Sequence, residues 1–162
     1  GHAPHPALAV DRQWNLVAAN EAVTRLTAGA DSSLLEAPTN VLRLSLHPKG
    51  LAPNIANLRQ WRAHVLARLN QQIDASADPG LVALLEELKA YPVPPGARPH
   101  RPALDPLAGI AVPFELRTPD GALSFLSTTT VFGTAVDITL AELTIETFFP
   151  ADAETAALMR GC

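Results

Sequence analysis

Hydrophobic positions change their period as the chain proceeds. Two short apolar runs, 7–10 and 14–19, flank Asp11-Arg12-Gln13, which predicts a β-hairpin closed by a tight turn. Asn20 then stands before EAVTRLTAG, a short helical pattern with Ala22, Val23 and Leu26 on one side. An asparagine there is placed to accept from a free N–H of the first turn, and Gly29 to stop the helix. Residues 40–46 predict a second short helix and 54–74 a longer one. In the longer one Leu58, Trp61, Val65, Leu69 and Ile73 recur at three- and four-residue steps as one apolar stripe. Asp78-Pro79 opens a further helix as cap and first residue, where a missing N–H costs nothing. Its body, GLVALLEELKA, is apolar over most of its surface and is expected to be buried.

Six prolines between 92 and 106 exclude helix and central strand there, so this segment reads as a covering arm within one domain. Beyond it the period becomes two. Ile110, Val112, Phe114 and Leu116 alternate as a half-buried strand, with Pro113 marking an edge or a bulge. Pro119-Asp120-Gly121 is a turn, and ALSFLSTTTVFG is the next strand. Residues 141–149 predict a last strand with Leu143, Ile145 and Phe149 inward and Glu142, Thr144 and Glu146 outward, as solvated charges in the case of the glutamates. Asp152 is placed to cap a final short helix. Two strands, several helices and three strands make an α+β domain: a five-stranded antiparallel sheet with helices inserted between strands 2 and 3.

Composition narrows the function classes. A formal net charge of −4, no run of Lys/Arg and only 5% aromatic residues argue against nucleic-acid binding by this chain itself. Charged residues at 17% against 48% hydrophobic leave room for an apolar cavity or interface. The lone cysteine, Cys162, excludes a disulfide framework and a Cys-based metal site, which fits a reducing cytoplasm. No apolar run is long enough to span a membrane. The chain starts almost directly on a strand, as a piece cut from something longer would.

No nucleophile elbow, zinc-protease motif, phosphate-binding glycine loop or dinucleotide fingerprint is present, so no catalytic residue and no metal ligand is assigned. His47 precedes Pro48 and reads first as a helix stop. His64 lies on the long helix as a surface or core residue. Arg43 is different: among Val41, Leu42, Leu44 and Leu46 its stem must run along apolar surface. Either it snorkels to solvent, or its guanidinium sits at the mouth of an apolar cavity, paired with a carboxylate of the protein or of a ligand.

The blocks WNLVAAN (14–20), NVLRLSLHPKGLAP (40–53) and FGTAVDITLAELTIETFFPAD (132–152) together resemble the MmyB-like transcription regulator ligand-binding domain, the C-terminal part of XRE-type bacterial helix-turn-helix regulators. The resemblance covers about residues 5–160. It implies a PAS-like fold, a cytoplasmic sensor role and a small hydrophobic ligand of fatty-acid type, with the DNA-binding helix-turn-helix domain lying outside this chain. Burying a ten-methylene chain would contribute about 8 kcal/mol, against an association cost of about 4–15 kcal/mol, so a polar anchor matters. Arg43 is the first candidate, with Asn40 as helper. Leu44, Trp61, Phe114, Phe125 and Ile145 are candidate walls, or else members of a filled core. Two rivals stay open: a haem or flavin module using His47 or His64 as axial ligand, and a dimerisation module, a homodimer formed through an exposed apolar sheet face.

Overall fold

The computed structural model describes residues 5–100, 111–131 and 143–161. Strands β1 (Ala7–Val10) and β2 (Leu16–Ala19) are followed by α1 (Glu21–Thr27), α2 (Ser32–Leu35), α3 (Val41–Leu46), a 3-10 turn (Ala52–Asn54), α4 (Leu58–Ser76) and α5 (Pro79–Ala90). Strands β3 (Phe114–Thr118), β4 (Gly121–Val131) and β5 (Thr144–Pro150) come next, and α6 (Ala153–Arg160) closes the chain. The five strands form one antiparallel sheet in the order β2-β1-β5-β4-β3. This is the α+β layout expected, with helices inserted between β2 and β3. The last strand is the central one and joins the first hairpin to the second.

The local signals explain most boundaries. Asn20, Asp78 and Asp152 accept hydrogen bonds from the N–H groups of Val23, Gly80 and Thr155, each satisfying an orphan donor at a helix start. Asp11 organises the first turn by accepting from the N–H groups of Gln13 (2.8 Å) and Asn15 (2.9 Å). The turn therefore runs to Asn15, and β2 starts at Leu16 instead of residue 14. Trp14 takes the left-handed conformation (φ 66°) inside that turn and buries its indole. His47 is the C-cap of α3, extended ahead of Pro48, and Gly50 then passes close to the helix it has just left. A Cβ on Gly50 would lie 2.1 Å from the Leu44 carbonyl oxygen, so only glycine fits this joint.

Three expectations are corrected here. The long helix starts at Leu58, because residues 55–57 pair with the edge of β3 instead: Ala56 N–H donates to the Glu115 carbonyl, and Asn57 bridges to Pro113 and Glu115. Helix α5 buries one face only, through Leu81, Leu84, Leu85 and Leu88, while Val82 is 43% exposed, because it packs from outside onto α4 and α3. The phase of β5 is reversed. Glu146 and Phe148 point to the helices, while Ile145 and Phe149 lie on the other face of the sheet, Phe149 40% exposed. Phe148 and Phe149 are adjacent, so alternation alone could follow either. The Phe148 ring wins by packing 6.0 Å from Phe114 and 6.3 Å from Phe125. Leu143 precedes β5. Ile110, Glu142 and the second half of the proline arm lie outside the described residues.

Candidate functional site

The inner face of the sheet does not fill the space beneath the helices. Leu8, Phe114, Phe125, Glu146 and Phe148 floor a cavity of about 360 Å³. Helix α3 contributes Val41, Leu42, Leu44 and Ser45 to its wall, and α4 contributes Trp61, Val65 and Arg68. The exposed lining residues Ala19, Thr24, Ala28 and Leu35 all come from β2, α1 and α2, which places the opening on that side. A second cavity, about 450 Å³, lies beyond α1 between that helix, the β3–β4 turn and α6. Its charged lining residues Arg25, Arg117 and Asp120 are solvent-exposed, whereas the first is walled by aromatic and aliphatic side chains with one half-buried ion pair.

That ion pair is Arg68 with Glu146. The Arg68 Nη2 donates to Glu146 Oε1 at 2.6 Å, with side-chain exposures of 28% and 5%. Thr129 completes the cluster: its hydroxyl donates to the same Oε1 at 3.0 Å and accepts from Arg68 Nη2 at 3.3 Å. The guanidinium lies 5.1 Å from the centroid of the Trp14 ring, a cation–π contact that orients it. Trp14 is itself anchored by its indole N–H on Gln72 Oε1 at 2.7 Å. On the α4 surface Arg68 is three residues past Val65 and seven past Trp61, so it shares the face of the apolar stripe. That cation inside the stripe was a usable sequence signal. Glu146 was hidden by the reversed phase of β5.

Of the sequence candidates, Leu44, Trp61, Phe114 and Phe125 come together around the cavity, with the Trp61 indole N–H donating to Ser45 Oγ at 2.8 Å. Ile145 does not line it. Asn40 caps α3 through the Arg43 N–H and donates to the Gln13 carbonyl at 2.9 Å, so its side chain ties α3 to the first hairpin. Arg43 points away to α5, where Nε and Nη2 clasp the two oxygens of Glu87 at 2.6 and 3.0 Å. This hydrogen-bonded guanidinium holds the Glu87 carboxyl below its ordinary range. Tyr91 also donates to Glu87, and its phenol is pushed up by burial and by that carboxylate.

Neither histidine proposed as an axial ligand lines the cavity. His47 accepts from the Lys49 N–H at 2.9 Å and meets the Tyr91 ring edge-on, and His64 lies with its ring 5.4 Å from that of Trp61. Among the described residues no group of three or more His, Cys, Asp or Glu side chains can hold a metal ion, and no helix is long and apolar enough to cross a membrane. Burial, and then the charge of Arg68, hold the His64 imidazole below its ordinary value. The unfolded chain binds that proton more readily, so this contribution to stability is complete above the unfolded pKa of about 6.5 and is lost as pH falls below it. His64→Leu is therefore expected to flatten the fall in urea midpoint between pH 7.5 and 5.5; an unchanged slope would place the ring in water.

A family model, that of the MmyB-like transcription regulator ligand binding domain, matches residues 1–161. No curated protein matches the chain.

Proposed function

The chain belongs to the MmyB-like transcription regulator ligand binding domain family, and from that premise we propose that it is the sensing domain of a bacterial XRE-type regulator. In this reading it takes a small hydrophobic, fatty-acid-like molecule into the 360 Å³ cavity and biases an attached helix-turn-helix DNA-binding domain in the cytoplasm. The cavity itself is the observation that carries the reading. Its volume is in the range of small-molecule sites, and its walls are apolar around a small polar group, as such sites are. The strand order β2-β1-β5-β4-β3, with the helices in the β2–β3 connection, supports a PAS-like assignment. We place the polar anchor at Arg68, which lines the cavity, whereas Arg43 does not and is paired with Glu87 on α5.

A ligand can signal only by preferring one arrangement of the domain over another. The cavity is bounded by α1, α3, α4 and the central strand, so a bound chain touches both the helical layer and the sheet. Organic extraction of the purified chain, followed by mass spectrometry, is expected to release a single-chain lipid. Val65→Phe, which fills the cavity from α4, is expected to abolish that signal, and Arg43→Ala to leave it unchanged. A lipid-free dimer by native mass spectrometry would favour the dimerisation module instead, and visible absorbance a haem or flavin.

A further inference from the structure

We infer that Arg68 and Glu146, braced by Thr129, form the head-group site of the cavity, and that it takes an un-ionised head carrying a hydrogen-bond donor, an alcohol or a primary amide, in preference to a carboxylate. This rests on the ligand-sensing reading above. Charge balance is the first reason. Arg68 and Glu146 are the two charged side chains among the described residues lining the cavity, and each already neutralises the other. A carboxylate would bring a second anion to a single cation. It must displace Glu146, leaving a carboxylate that is only 5% exposed without its partner, share Arg68 with it and be repelled, or have one of the two acids take up a proton, which is costly at neutral pH. An uncharged head meets none of these costs.

Donor and acceptor geometry is the second reason. Both Arg68 Nη2 and the Thr129 hydroxyl bond to the same carboxylate oxygen, Oε1. Among the described residues no hydrogen bond reaches Oε2, and those of Arg68 all leave from Nη2, with Nε and Nη1 unused. The site thus offers an acceptor and donors side by side. A hydroxyl or a primary amide can donate to the carboxylate and accept from the guanidinium at once, whereas an ionised acid can only accept. The aliphatic tail then runs over Trp61, Phe114, Phe125 and Phe148.

Isothermal titration of the lipid-stripped chain with decanol, decanamide and decanoate at pH 7.5 tests this directly. The alcohol and the amide are expected to bind roughly tenfold or more tighter than the acid, the scale of one unmet buried polar group. Glu146→Gln keeps the side-chain size and removes the resident anion, so it is expected to raise decanoate affinity by a similar factor. Decanoate binding as tightly as decanol to the unaltered chain would overturn the head-group inference while leaving the sensor reading standing. Binding of none of the three would overturn both. The comparison on the unaltered chain stands whether or not the variant folds.

Discussion

Replacing Arg68 with leucine is expected to lower the unfolding free energy by about 3 kcal/mol, read from urea denaturation at pH 7.5. The attraction lost in the pair is the smaller part of that effect. Most of it comes from the carboxylate left behind, because Glu146 sits at 5% exposure on the central strand. Of the partners now holding its oxygen only Thr129 would remain. The guanidinium is 28% exposed, so part of its own hydration is kept, which places the figure at the lower end of the range for buried pairs. Replacing both residues by leucine is expected to recover at least half of the loss, since no buried charge then lacks a partner. A pair coupling below about 0.5 kcal/mol in that cycle would mean that water reaches Glu146 freely, and it would remove the basis of the head-group site.

Phe125→Ala is expected to cost about 3–5 kcal/mol, the largest stability effect of any single truncation of the cavity floor. Its side chain is wholly buried on β4, directly across from Phe114 in the adjoining strand and edge-on to Phe148. Each ring helps position the other two, so removing the middle one loosens the floor as well as emptying it. The new void would open into the existing cavity, where little can collapse to refill it, and this favours the upper end of the range. Leu126→Ala, one residue along and 39% exposed on the opposite face, is expected to cost less than about 1 kcal/mol. Equal losses for the two would show that the face assignment of β4 is wrong.

How much of the site was legible depends on how local its determinants are. Leu44, Trp61, Phe114 and Phe125 could be picked out because each sits in a run whose period names its buried side. Arg43 also stood out, as a cation in an apolar helix, but its partner is 44 residues away on a different helix. Nothing within α3 distinguishes a guanidinium reaching for Glu87 from one reaching for a ligand. The reverse holds for Arg68, which looks like an ordinary helix-surface arginine until the stripe is followed from Trp61 through Val65. Glu146 carried a misleading signal, because a charged residue beside two adjacent phenylalanines is most simply placed outward.

By itself, then, the sequence determined the element types and their order. Periods of two and near four, and caps such as Asn20, Asp78 and Asp152, act over a single turn or a pair of neighbouring residues. It also determined the joint at His47-Pro48, since proline constrains the residue before it wherever the chain goes next. The tertiary structure alone decided the face that β5 presents, the pairing of Arg43 with α5, and the meeting of Arg68 with Glu146 across 78 residues. Those are choices between alternatives nearly equal in local energy. They are settled by which rings pack together and which buried charges find partners, and such contacts exist only once sheet and helices have closed on one another.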